Sequence, residues 1–216
     1  MPPAAAKPAR NVRPHKGRSL LAAVDDYVVI DIETTGLAPL FSEIIELGAV
    51  RVVNGVVTAR FETLVRPAGV ISAFITDLTG ITNAMVQTAP EITLALPRYL
   101  DFIGDGIMIG HNVHFDVNFI YDHCQRWLNR PFPNDFIDTM RLSRRLYQGV
   151  KGHRLSNLVR RFGIGGTVEH RALSDVLKTQ QCYEYMKTRA LGDAALRRLL
   201  CDQKQAAAAK QLLLPM

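Results

Sequence analysis

The sequence predicts an α/β protein, a mixed sheet covered by helices. An apolar three-strand meander begins at Tyr27, and short strands then alternate with helical stretches. The glycine, proline and asparagine punctuation falls between these segments rather than inside them.

Tyr27-Val28-Val29-Ile30 is apolar, rich in β-branched residues and too short for a helix, so it reads as a buried strand. Ile44 to Val53 reads as a second strand. Asn54-Gly55 is a type I′ hairpin signal, and Val56 to Val65 returns as a third. Ser72 to Leu78, closed by Gly80, predicts a short helix, and Pro90 opens another to about Phe102. Ile107-Met108-Ile109, between glycines, is a short buried strand. Phe115 to Leu128 predicts a helix with Val117, Ile120, Cys124 and Leu128 on one face. Phe136-Ile137 is the last strand. Helices are expected around Thr139 to Tyr147, Leu155 to Phe162 and Ala172 to Lys187, and a helical tail over Ala194 to Leu214. The chain thus divides into a basic extension (1–24), one domain (25–188) and a C-terminal tail (189–216).

The formal net charge is +6, unevenly placed. Residues 1–18 carry +5 with no acid, residues 188–216 carry +3, and the middle carries −2. The Pro/Ala-rich N-terminal extension is expected to be a solvated, disordered arm with weak attraction for phosphate. Its composition also fits an organellar transit peptide, but no other feature supports one. Cys124, Cys182 and Cys201 form no CxxC and cannot all pair, which argues against a disulfide framework or zinc finger and fits a reducing compartment such as the cytoplasm. No apolar run approaches the roughly 18 residues of a membrane span.

Three short blocks carry the chemistry: Asp31-Ile32-Glu33-Thr34-Thr35-Gly36, His111 to Asp116, and His170 to Asp175. Asp31 and Glu33 are two apart on a strand, so both face one side. Side by side they repel, and a divalent cation would relieve the burial cost. Gly36 permits a tight turn close to a ligand, and the Thr34 and Thr35 hydroxyls could bind phosphate or a 3′-hydroxyl. Asp116 opens a helix, and Phe115 beside it could stack on a base. Asp175 borders the apolar face of the last core helix, and His170 lies on the loop before it. Each block alone has an ordinary reading, as a strand end, a helix N-terminal charge or a solvated helix aspartate. Together, four carboxylates suit the hard cations Mg²⁺ or Mn²⁺ rather than zinc. Two such ions about 3.5–4 Å apart would clamp the attacking and leaving oxygens of a phosphoryl displacement. A histidine can take a proton from the attacking water near neutral pH.

With these blocks the chain resembles the DEDDh 3′–5′ exonucleases, the family of the proofreading subunits and domains of bacterial DNA polymerase III. The resemblance covers about Tyr27 to Lys187. It extends to Ile44-Ile45-Glu46-Leu47-Gly48-Ala49-Val50, Leu78-Thr79-Gly80-Ile81-Thr82 and Ala89-Pro90. It implies a ribonuclease H-like fold with a five-stranded mixed sheet. It implies Asp31, Glu33, Asp116 and Asp175 as metal-binding acids and His170 as general base. Arg171 occupies the position of the tyrosine in the family's other branch. Thr34, Thr35, Gly36, Leu37, Asn112 and Phe115 match positions near the terminal nucleotide.

The implied activity is removal of nucleoside 5′-monophosphates from single-stranded or frayed DNA 3′ ends, in proofreading or repair, with a DNA polymerase as a candidate partner. An exoribonuclease with the same residues is the alternative, and a non-catalytic nucleic-acid or polymerase binding module is a third reading. The final Gln211-Leu212-Leu213-Leu214-Pro215-Met216 resembles the short peptides that bind bacterial sliding clamps, and equally suits a fraying amphipathic tail.

Overall fold

The computed structural model describes residues 12–166, 168 and 170–201, the Cys201 side chain excepted. The clamp-like peptide at 211–216 lies outside the described residues. Six strands form one sheet: β1 (Ser19–Leu20), β2 (Tyr27–Thr34), β3 (Ile44–Val53), β4 (Val56–Leu64), β5 (Met108–Gly110) and β6 (Phe136–Asp138). Their spatial order is β1-β6-β5-β2-β3-β4. The β2-β3-β4 meander is antiparallel, while β2, β5, β6 and β1 run parallel. Asn54 and Gly55 both take positive φ, 52° and 76°, as a type I′ turn requires.

The helices are α1 (Ala73–Thr79), α2 (Asn83–Val86), α3 (Ile92–Ile103), α4 (His114–His123), α5 (Thr139–Leu146), α6 (Leu155–Arg161), α7 (Ala172–Gly192) and α8 (Ala194–Cys201). Ser72 caps α1 by accepting from the Ile75 N–H, and Gly80 ends it in the left-handed conformation. The helix expected to run to Leu128 instead changes to a π-helical turn over Cys124–Leu128, closed by left-handed Asn129. On one face of the sheet Val28, Ile30 and Ile32 pack with Leu96, Tyr99 and Phe119 of α3 and α4. On the other, Val29, Val50, Ile109 and Ile137 pack with Leu142, Leu158, Tyr183 and Met186 of α5, α6 and α7.

Three expectations need correction. The sheet has six strands, not five, because Ser19–Leu20 adds an edge strand beside Phe136 and Ile137. Residues 12–24 are therefore not a solvated arm. Leu20 and Ala22 are buried, Arg13 grips Asp122 with two hydrogen bonds of 2.7 and 2.6 Å, and Tyr121 donates to the Pro14 carbonyl. Their apolar positions are too few to register as a strand. At the other end, α7 runs through the boundary drawn at 188, and Ala190 and Leu200 are buried with the core. Among the described residues no helix is long and apolar enough to cross a membrane.

Candidate active site

Asp31 and Glu33 lie near the end of β2, opposite Gly48 and Glu46 of β3. Gly48 decides how close α7 can come. A Cβ there would lie 2.7 Å from the Ala172 carbonyl carbon, so only glycine lets the first turn of α7 rest on β3. That approach brings Asp175, buried in the first turn of α7, beside the two strand acids.

Glu46 is fully buried and directly across the strand pair from Glu33. It accepts from Arg171 Nη2 at 2.7 Å, from Arg171 Nε at 3.1 Å and from the Ala172 N–H at 2.9 Å. These bonds pin the loop before α7 to the sheet and set His170 over the acids. His170 holds a left-handed backbone, φ 50°. One ligand atom each of Glu33, His170 and Asp175 lie within 4.8 Å of one another.

Asp116 reaches the same place from α4. It is buried and accepts from the Ile32 N–H at 3.1 Å, which ties α4 to the strand between the two acids. The preceding turn is fixed by Asp138, whose Oδ1 accepts from the Asn112 N–H at 3.0 Å and from the Met140 N–H at 2.9 Å. Asn112 is also left-handed, φ 60°. Non-glycine residues in that region cost energy and cluster at functional sites.

The five expected catalytic positions, Asp31, Glu33, Asp116, His170 and Asp175, line one cleft of about 520 Å³, with Leu37, Asn112 and Phe115. That is within the range of ligand sites, roughly 300–1,000 Å³. Leu37 is 86% exposed at its mouth, and Phe115 is half-buried against Phe119. Thr34, Thr35 and Gly36 form the turn behind it. The Thr34 hydroxyl donates to the Gly36 carbonyl at 2.7 Å, and the Thr35 hydroxyl accepts from the Glu43 N–H at 2.9 Å. Both hydroxyls are thus engaged in the turn itself.

Sequence reasoning missed Glu46 and Asp138. An acid amid the apolar Ile44-Ile45-x-Leu47 run is the signal for the first; an acid immediately before a helix is the signal for the second. His111, which carries no role in the motif reading, lines the cleft and shares a 2.9 Å hydrogen bond with the Thr139 hydroxyl. Burial lowers its pKa to about 4, so its ring is neutral at pH 7.

The acids are held out of their usual range. Burial, then the charges of Asp116, Glu33 and Asp175, pushes Asp31 well up. Burial, then Glu46 and Asp175, pushes Glu33 up to about 8. Burial raises Asp116 to about 8 despite the hydrogen bonds that favour its charged form. A cluster of oxygen donors whose ionisation is opposed by burial and mutual repulsion fits a hard divalent cation.

A helix-covered mixed sheet with this acidic cleft at its strand ends defines a ribonuclease H-like nuclease domain. The family model described as Exonuclease matches residues 28–183, and the chain belongs to that family. It is 40% identical over 157 residues to a protein of Aquifex aeolicus named DNA polymerase III subunit epsilon, covering 73% of this chain and 78% of that one. It is 41% identical over 167 residues to a PolC-type DNA polymerase III of Caldanaerobacter subterraneus subsp. tengcongensis, covering 77% of this chain. The match spans only 12% of that longer protein. Among solved structures, an exonuclease X in complex with 5′-overhanging duplex DNA is similar with a TM-score of 0.59 and 30% identity, covering 78% of this chain and 95% of that one.

Proposed function

We propose that the protein is a cytoplasmic, two-metal-ion 3′–5′ exonuclease that removes nucleoside 5′-monophosphates from single-stranded or frayed DNA 3′ ends. The observation that carries this is the convergence of Asp31, Glu33, Asp116, Asp175 and His170, from β2, α4, α7 and the loop before it, on one open cleft. Asp31, Glu33, Asp116 and Asp175 would hold the ions, Mg²⁺ or Mn²⁺. Bound there, divalent ions activate water and neutralise charge developing on the phosphate.

The chain's own groups do the rest. His170 accepts the proton of the attacking water at a ring nitrogen, and its exposure lets that proton leave to solvent. Asn112 and Phe115 hold the terminal nucleotide, with Phe115 offering a ring face to the base. Leu37, apolar and projecting at the mouth, packs against the next base. The polymerase names of the relatives support a role in replication proofreading or repair beside a DNA polymerase. Residues 211–216 are the candidate clamp-binding peptide.

The test uses 5′- and 3′-labelled single-stranded DNA and RNA of one sequence, with Mg²⁺ or Mn²⁺, against Asp31→Ala. A 5′-labelled ladder that shortens from the 3′ end, faster on DNA and absent in the variant, is the expected result. Faster shortening of RNA would move the protein to the exoribonucleases. No cleavage of either would contradict the assignment.

A further inference from the structure

The stretch from Thr139 to Val168 contains Arg141, Arg144, Arg145, Lys151, Arg154, Arg160 and Arg161 and no Asp or Glu. Residues 139–161 of it form α5, α6 and the loop that joins them. Met140, Arg154 and Leu155 make one lip of the acidic cleft, and Arg141, Arg144 and Arg145 line a shallow groove with Leu21 and Gln148. Three of the seven cations are engaged within the protein. Arg141 donates to Ser19, Arg160 to Asn157, and Arg161 to the Lys151 and Gly152 carbonyls. The side chains of Arg144, Arg145, Lys151 and Arg154 are exposed and make no hydrogen bond or ion pair among the described residues.

A basic helix face is ordinarily just solvated surface, but such surfaces interleave both signs. Here the stretch itself supplies no acid between its cations, and a polyanion lying along it would lower their mutual repulsion. The surface is also braced. Ser143 Oγ and His153 Nδ1 share a 2.8 Å hydrogen bond, and His153 Nε2 lies 2.8 Å from the Val150 carbonyl. These two bonds hold the segment before Arg154 against α5.

We propose that α5 and α6 form a phosphate track for the DNA strand leading away from the cleft, with Arg154 at the lip and Arg144 and Arg145 farther along. This rests on the nucleic-acid reading of the cleft. It predicts that a longer strand binds more tightly than one that only fills the cleft.

The test compares the full-length protein with Arg144→Ala/Arg145→Ala and Arg144→Lys/Arg145→Lys, by fluorescence anisotropy on 5′-labelled oligo-dT, a tetramer and a twenty-mer, in EDTA over a salt series. The alanine pair should lose most of the extra affinity for the twenty-mer. Its slope of log affinity against log salt should fall by about 1.4, at about 0.7 for each single-strand phosphate that is no longer neutralised. The lysine pair should restore both, which a packing defect would not allow. An unchanged slope and length dependence would overturn the track, as would an equal loss on tetramer and twenty-mer. Those results are distinct from failure of the cleft reading, in which the wild-type protein would leave the twenty-mer uncut when Mn²⁺ replaces the EDTA.

Discussion

Asp31, Glu33 and Asp116 sit where ionisation is opposed, Glu33 and Asp116 up to about 8 and Asp31 also well raised. In the unfolded chain the same carboxyls titrate near 4. Between those values the folded protein holds more protons than the unfolded one, so stability falls as pH rises. Metal-free protein is therefore expected to melt progressively lower from pH 5 to 8.5, and Mn²⁺ should raise the melting temperature most at the upper end. A thermal melt series with and without Mn²⁺ checks this; a flat metal-free profile would contradict the electrostatics. Asp31→Asn removes one member of the repulsion, so it should melt no lower than wild type without metal while losing hydrolysis. His170→Ala should lower kcat by about 10²–10⁴-fold, the usual contribution of a general base, with KM little changed. At this scale the sequence is readable wherever residues fall in motifs. Glu46 shows in the sequence only as an acid in an apolar run, and its place opposite Glu33 across the strand pair comes from the register.

The packing of α7's first turn on β3 decides whether the acids meet. Gly48→Val would place side-chain atoms where the Ala172 backbone lies, and should separate Asp175 from Asp31. The expected outcome is loss of Mn²⁺ binding by calorimetry together with a lower melting temperature. Arg171→Ala leaves buried Glu46 with the Ala172 N–H as its remaining partner among the described residues. It should cost about 1–3 kcal/mol by chemical denaturation, less than for a wholly buried pair because Arg171 is partly solvated. Most elements are legible because their apolar periods, caps and turns are local: Ser72, Asn54-Gly55 and Gly80 each act where their type predicts. The π-helical turn after His123 is not, since its residues carry an ordinary helical pattern. The two-residue β1 is not either, because its strand character comes wholly from pairing with β6.

At the scale of the molecule, the N-terminal segment is a strap. It runs past α4 and closes the sheet edge at β6, with Arg18 held to Asp135 by backbone and side-chain bonds. Removing residues 1–24 is expected to lower the melting temperature and uncover the β6 edge, which scattering would detect as self-association. Arg13→Ala alone should cost about 1 kcal/mol, or about 2–4 °C for a domain of this size. An unchanged melt after the deletion would mean the strap contributes nothing to stability. The fold class needs no knowledge of this strap, because the meander and the alternating strands and helices already define it.

The strap also bears on synthesis. Arg18 and Asp135 are 117 residues apart in the chain. At about 5–20 residues per second, a nascent N-terminus waits on the order of ten seconds before its partner leaves the ribosome. Asp31 waits longer still for Asp175. A half-made chain therefore holds the strand acids without the helix that completes them, so the acid cluster can assemble only after α7 has been made.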